Sequence, residues 1–203
     1  MITFLKNFYR AKKFGQPIVV VSGLPRSGTS MTMKMLEAGG MRLFTDNIRE
    51  ADEDNPKGYY EFERVKNLHK EKDKSWLGDA RGKVIKIISE LLMELPDAYF
   101  YKLIFMDRHL DEVIASQNKM LIRRGESVGD DNERMKALFE KHLRVVKSWL
   151  DRQSNFDVIR LNYKEVIDNP FDHAERIRNF LGTGLDVKGM AGVVDEKLYR
   201  HRR

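Results

Sequence analysis

The sequence contains no cysteine, and this absence excludes disulfide bonds, thiolate metal sites and a cysteine nucleophile. No apolar run approaches the roughly 20 residues that a membrane-spanning helix requires. The N-terminus lacks the apolar segment of a secretory signal. The 5 histidines are scattered without metal-ligand spacing, so we predict no metal site. These absences lead us to expect a cytoplasmic protein.

Charge and length set broad limits on what the chain binds. The 203 residues fit one α/β domain, and 41% hydrophobic with 33% charged residues is a globular composition. The net charge of +6 suits a polyanion, which leaves nucleic acid, an acidic acceptor and a phosphorylated cofactor as candidates. We expect no nucleic-acid role, because we find no platform of aromatic and basic residues for base stacking.

We expect a single domain over residues 1–203, with a basic N-terminal extension at 1–16 and a basic tail at 197–203. The extension is interpreted as a short helix packed on the domain, and a helix docked on a membrane surface or a partner is the alternative. The tail is interpreted as disordered, and a segment folded over a nucleotide is the alternative. The sequence leaves the oligomeric state open.

Apolar runs alternate with helical patterns along the chain. Strands are predicted at residues 18–21, 84–88, 102–106 and 156–161. Helices are predicted at residues 28–38, 110–123, 132–153 and 174–181. The long third helix has an apolar side made of Leu138, Leu143, Val146, Trp149 and Leu150. This alternation predicts a P-loop-type three-layer α/β/α fold with a mainly parallel central sheet. Polar loops at 45–58 and 125–131 are interpreted as lids or substrate loops, with a plain linker as the alternative for the second.

A glycine-containing turn follows the first strand and leads directly into a helix. The turn contains Gly23 and Gly28, which permit close backbone approach to a ligand. Amide groups at the start of the helix would point at a bound anion, where the helix dipole favours negative charge. Ser27, Thr29 and Ser30 add side-chain donors and Arg26 adds a fixed cation, while Pro25 belongs to the same binding turn. The turn is therefore predicted to bind phosphate.

One position departs from the loop of nucleotide-hydrolysing enzymes. Those enzymes need a lysine directly after the second glycine to reach the β- and γ-phosphates. This chain has Thr29 there, and its cation, Arg26, comes earlier in the turn. The loop therefore suits a triphosphate poorly. It is better suited to a single terminal phosphate whose leaving bond differs from the phosphate–phosphate bond of a triphosphate.

The segment Leu24-Pro25-Arg26-Ser27-Gly28-Thr29-Ser30 resembles the 5′-phosphosulfate loop of the sulfotransferase family, which typically reads P-[KR]-S-G-T-[TS]. That family uses 3′-phosphoadenosine-5′-phosphosulfate (PAPS) and releases 3′,5′-bisphosphoadenosine (PAP). The resemblance extends over roughly residues 19–182. It implies a sulfotransferase that moves a sulfuryl group to a hydroxyl or amine acceptor whose class the sequence leaves open.

The family's second motif is an arginine at a strand end, with a serine eight positions later. Arg108 and Ser116 have this spacing, so the resemblance implies that they bind the 3′-phosphate. Residues 158–166 are similar to the segment in which the family often places a tyrosine near adenine. Tyr163 is therefore a candidate for that contact, and packing of the strand–helix corner is the alternative.

The general base differs from that of cytosolic family members. Lys86 matches the lysine of their K-T-H motif, but Ile88 stands where the histidine base would be. Lys86 is expected either to touch the sulfonate or to neutralise a carboxylate. Residues 55–61 are similar to an N-P-[RK]-G-Y-x-E stretch of bacterial members, which makes Glu61 the first candidate for the base. The fallback carboxylates are Asp46, Glu50 and Glu63.

Two other function classes compete with this interpretation. A small P-loop kinase is suggested by Asp107, which ends an apolar strand as a Mg²⁺ ligand would. A nucleotide-binding module without turnover is the second alternative.

Overall fold

Four parallel strands form one sheet in the computed structural model, which describes residues 13–46, 60–128 and 131–195. The strands are Ile18–Gly23 (β1), Val84–Lys86 (β2), Tyr101–Asp107 (β3) and Phe156–Asn162 (β4). Their order in the sheet is β2-β1-β3-β4, and each neighbouring pair is parallel. β1 is buried at all its positions, as expected of a parallel strand covered on both faces.

Helices cover both faces of this sheet. They are Thr29–Ala38 (α1), Leu110–Arg123 (α2), Asn132–Leu150 (α3), Tyr163–Asp168 (α4), Pro170–Leu181 (α5) and Val187–Gly192 (α6). One core cluster joins one face of β1 to α1, α4, α5 and α6. A second cluster joins the opposite face to α3 and to short 3₁₀ segments at Ser75–Ala80 and Ser89–Glu94. The predicted three-layer α/β fold is therefore confirmed.

The strand register brings all four carboxyl ends to one edge. Lys86 pairs with Val21, Gly23 pairs with Met106, and Asp107 pairs with Asn162. From β1 the chain crosses to β2 on one side, and β3 lies on the other side of β1. The carboxyl ends of β1 and β3 are therefore a topological switch point, where open α/β sheets form their ligand crevice.

The structure differs from the sequence prediction in several elements. The prediction that Leu138 belongs to the buried apolar side of the long helix is wrong, because this side chain is 54% exposed. α4 and α6 were not predicted, and neither were the 3₁₀ segments between residues 63 and 94. Most of the N-terminal extension, most of the loop at 45–58, and the basic tail lie outside the described residues.

Among the described helices, we find none with the length and apolar character needed to cross a membrane.

Candidate functional site

The turn after β1 adopts a conformation that only glycine permits at two positions. A Cβ atom on Gly23 would lie 2.4 Å from Ser27 Oγ and 2.5 Å from the Met106 carbonyl oxygen. Gly28 has a φ of 101° and precedes α1 directly. A Cβ atom on Gly28 would lie 2.4 Å from the Tyr163 ring. Both glycines are therefore required by the tight packing of the turn as well as by its backbone angles.

The inside of this turn has hydrogen-bond donors suited to an anion. Ser27 is 1% exposed, and its Oγ has no hydrogen-bond partner in the described structure. No side chain caps the N-terminus of α1, and the first turn of that helix contains no acidic residue. The amides of Thr29 and Ser30 are among the first N–H groups of α1, which lack intrahelical acceptors. A phosphate would satisfy both the buried hydroxyl and these amides, so the turn fits the group predicted for it.

The neighbouring strand supplies a cation to the turn. Lys86 ends β2, is 9% exposed, and donates from Nζ to Ser30 Oγ over 3.3 Å. Its Nζ also lies 3.4 Å from Glu61 Oε1. Lys86 thus contacts Ser30 of the loop and pairs with a carboxylate, which is one of the two roles that the sequence left open. The contact with the sulfonate stays a prediction. It brings positive charge to the start of α1, although Thr29 replaces the usual loop lysine.

Glu61 is the candidate base that the structure links to the turn. Its carboxylate lies between Lys86 and Lys66, whose Nζ is 3.7 Å from Oε2. These ion pairs need the ionised carboxylate, which is the form that accepts a proton. The neighbours of Glu61 in these ion pairs are therefore both cations.

The other candidate carboxylates have different partners. Asp46 Oδ2 accepts the backbone N–H of Glu63 at 2.5 Å. Glu63 Oε1 accepts a hydrogen bond from Lys66 Nζ at 2.6 Å. Glu50 lies outside the described residues.

Arg26 connects the turn to α2. Its φ is 69°, a left-handed conformation that costs a non-glycine residue about 1–3 kcal/mol. Its Nε donates to Ser116 Oγ over 3.0 Å, and Ser116 is buried on α2. Pro25, directly before Arg26, is exposed. The Arg26 side chain therefore connects the turn, which is predicted to bind the 5′-phosphosulfate, to Ser116, which is predicted to bind the 3′-phosphate.

Arg108 forms a second connection between the same elements. It follows β3, and its Nη1 donates to the Arg26 carbonyl oxygen over 3.0 Å. Its Nε donates to Glu112 Oε2 over 2.9 Å, and the two side chains are only 7% and 8% exposed. Sequence reasoning missed Glu112, although its position four residues after Arg108 is the spacing of a helical ion pair.

Tyr163 lies beneath the turn. It is 5% exposed, its ring packs against Gly28, and the Arg108 guanidinium carbon is 4.3 Å from the ring centroid. Burial raises the pKa of its hydroxyl, and Glu112 adds to this, while Arg108 and Arg26 oppose it. These contacts match the corner-packing alternative, and the contact with adenine stays a prediction.

Asp107 does not contribute an isolated carboxylate at the end of β3. Its Oδ1 lies 2.7 Å from Lys147 Nζ of α3. The strand-ending aspartate that suggested a magnesium ligand is therefore neutralised by a lysine.

Comparisons with known proteins bear on the family and the fold of this chain. The sequence model described as "Sulfotransferase family" matches residues 55–186. A solved sulfotransferase domain from the Synechococcus PCC 7002 olefin synthase is 17% identical, with 94% of this chain and 84% of that chain covered and a TM-score of 0.51. A sulfotransferase from Alicyclobacillus acidocaldarius is 17% identical, with 85% of each chain covered and a TM-score of 0.50. These two structures share the fold. At the level of sequence, no curated protein matches this chain significantly.

Proposed function

This chain belongs to the sulfotransferase family, and on that premise we propose that it transfers a sulfuryl group from PAPS to a hydroxyl or amine acceptor. When bound, PAPS supplies an activated sulfuryl group that leaves its 5′-phosphate for the attacking acceptor atom. The protein must then hold two separate phosphates and accept one proton.

The turn between Gly23 and Ser30 would hold the 5′-phosphosulfate. The buried Ser27 hydroxyl and the start of α1 offer donors, and Lys86 Nζ lies 3.3 Å from Ser30 Oγ at the same place. Arg108 and Ser116 would hold the 3′-phosphate, because an arginine fork and a hydroxyl suit a terminal phosphate.

One observation supports this pairing above all others: Arg26 joins the two groups. Its backbone belongs to the turn, its Nε is 3.0 Å from Ser116, and its carbonyl oxygen is 3.0 Å from Arg108 Nη1. One small ligand with two phosphates can therefore contact both groups, whereas groups facing separate clefts could not share it.

Three side chains would act during transfer. Glu61 would accept the acceptor's proton, since Lys86 holds its carboxylate beside the turn. Lys86 and Arg26 would stabilise the negative charge that develops on the leaving phosphate. In this structure Arg26 Nε contacts Ser116, and the guanidinium has further donors on its two Nη groups.

The kinase alternative is less well supported. Thr29 replaces the lysine that grips a triphosphate, and the Asp107 carboxylate is paired with Lys147. PAP is the ligand that best distinguishes the two activities, because it has the 3′-phosphate and lacks a γ-phosphate.

Isothermal titration with PAP in the presence of EDTA tests the donor. We expect PAP to bind at least about tenfold more tightly than 5′-AMP, since Arg108 and Ser116 add charge-assisted hydrogen bonds. Binding of ATP that requires Mg²⁺, together with no binding of PAP, would favour the kinase and reject this proposal.

Transfer from ³⁵S-labelled PAPS to a panel of alcohols, phenols, sugars and amines tests the reaction. Glu61→Gln should reduce kcat by about 10²–10⁴-fold while leaving the Kd for PAP unchanged. Glu63→Gln is the matched control, because its carboxylate is paired with Lys66, and it should retain activity. A Glu61→Gln variant with normal turnover would remove this residue from the mechanism, and absence of transfer to any acceptor would favour a binding module.

A further inference from the structure

The start of α2 places two polar side chains one helical turn apart. Glu112 and Ser116 are four residues apart and therefore lie on the same face of the helix. Each contacts a different arginine: Glu112 accepts from Arg108 at 2.9 Å, and Ser116 accepts from Arg26 at 3.0 Å. α2 thus holds both arginines of the site through a pair of side chains on one face.

The contact between Glu112 and Arg108 is almost fully removed from water. The two side chains are 8% and 7% exposed. A buried carboxylate is tolerated only where it is paired and hydrogen-bonded, and Arg108 provides that partner. The pair has no net charge, so the contribution of Arg108 to a phosphate site depends on the direction of its donors more than on added positive charge.

Three contacts determine the orientation of the Arg108 guanidinium. Glu112 holds Nε, the Arg26 carbonyl oxygen holds Nη1, and the Tyr163 ring lies against one face at 4.3 Å. Because an arginine side chain has several rotatable bonds, a guanidinium without such contacts would have to be ordered by the ligand, at a cost in affinity. Glu112 is the only acidic residue among these three contacts.

We propose that Glu112 is a positioning residue that orients Arg108 toward the ribose 3′-phosphate and so sets the preference for a 3′-phosphorylated nucleotide. This inference rests on the proposed function, because it assumes that Arg108 binds that phosphate. Glu112 itself touches Arg108 and acts on the ligand only through it.

The test compares the Kd values of PAP and 5′-AMP by isothermal titration, because the two ligands differ only in the 3′-phosphate. Glu112→Ala should weaken PAP binding about tenfold and change 5′-AMP binding less than about twofold, since Arg108 is proposed to contact the 3′-phosphate, which 5′-AMP lacks. Glu112→Gln keeps a hydrogen-bond acceptor at the same place and nearly the same volume. It should restore the ratio of the two Kd values to within about threefold of wild type.

Asp111→Asn is the matched control. Asp111 lies in the same helical turn, but its carboxylate pairs with Lys136 at 2.8 Å, so this variant should keep the wild-type ratio. Thermal unfolding of each variant checks that it is folded.

Several results would overturn the inference. They are an unchanged ratio in Glu112→Ala, an equal loss of both affinities, a Glu112→Gln variant as poor as Glu112→Ala, or an equal effect of Asp111→Asn. If the wild-type protein binds PAP selectively and the substitutions leave this selectivity unchanged, only the role of Glu112 is rejected. Wild-type protein that binds neither nucleotide would reject the proposed function as well.

Discussion

At the scale of single residues, Gly28 leaves no room for a side chain. Its φ of 101° disfavours any L side chain, and the space beside it is filled by the Tyr163 ring. A methyl group there would have to displace a ring that also supports Arg108. The shape of the turn and the support of Arg108, which we propose binds the 3′-phosphate, therefore depend on the same contact.

Gly28→Ala should lower the affinity for PAP by at least about tenfold and destabilise the fold by about 1–3 kcal/mol. Titration with PAP and thermal unfolding measure the two effects. Gly40→Ala is the matched control, because Gly40 also has a positive φ, 91°, but a Cβ atom there meets nothing within 4 Å. Equal losses of PAP affinity in both variants would contradict the role assigned to the ring contact.

His173 makes the stability of the protein depend on pH. The residue is 6% exposed, and Arg176 Nη1 lies 3.1 Å from its Nδ1, which accepts the hydrogen bond. Burial lowers the pKa of the imidazole below its usual value of 6.5, and the nearby Arg176 charge lowers it further. The folded state therefore binds this proton less readily than the unfolded state does.

The resulting stability should be fully present above pH 6.5 and should decrease as the pH falls through the lowered pKa. Thermal unfolding between pH 7.5 and pH 5 measures this decrease, and the decrease should be smaller in His173→Gln than in wild type. Parallel curves for the two proteins would show that His173 is not the responsible group.

Several residue contacts could not be predicted from sequence. The contact between Lys86 and Ser30 forms because β2 lies beside β1. The order of the strands in the sheet cannot be predicted from the sequence of β1 or of β2 alone. The Arg26–Ser116 contact joins residues 90 positions apart. Glu112 is different, because its spacing from Arg108 is local and predicts the ion pair.

At the scale of secondary structure, the end of α5 depends on a strand residue. Lys102 of β3 donates from Nζ to the carbonyl oxygens of Phe180 and Leu181 over 2.9 and 2.7 Å. These carbonyl groups have no intrahelical donors, and a cation is also favoured at a helix C-terminus. Gly182 then ends the helix with a φ of 69°, a common conformation after the last helical residue.

Lys102→Met should destabilise the protein by about 1–3 kcal/mol, because two partly buried carbonyl groups lose a charged donor. Urea unfolding gives this value. Lys164→Met serves as the control: it removes an exposed pair with Asp168 and should cost less than about 0.5 kcal/mol. A smaller effect for Lys102 than for Lys164 would contradict this account of the helix end.

The elements themselves were largely predictable, since four apolar runs and four helical patterns match four strands and four helices of the structure. Short apolar runs of this kind predict strands that are buried in a sheet covered by helices on both faces. The 3₁₀ segments between residues 63 and 94 have no such period. Their buried side chains pack in the second core cluster, and no local repeat in the sequence predicts this packing. They include Val65, Trp76 and Leu92.

At the scale of the whole molecule, the site is assembled from segments that are distant in sequence. The turn follows β1, Lys86 ends β2, Arg108 follows β3, and Tyr163 follows β4. All four meet only after the sheet has formed with its strands in the observed order. A nucleotide therefore has little to bind in a partly folded chain.

Saturating PAP should consequently slow unfolding and leave the refolding rate unchanged within about twofold, because ligand contacts absent from the transition state affect only the unfolding rate. Stopped-flow measurements in urea with and without PAP separate the two rates. Refolding that accelerates in proportion to the PAP concentration would indicate a site formed early.

The packing of Tyr163 against Gly28 also bears on synthesis of the chain on the ribosome. Gly28 leaves the ribosome before the ring that supports it, because Tyr163 is added 135 positions later (163 − 28 = 135). Until then the nascent chain has a glycine turn with nothing beneath it. We therefore expect the nucleotide pocket to mature on the nascent chain only after Tyr163 has been added.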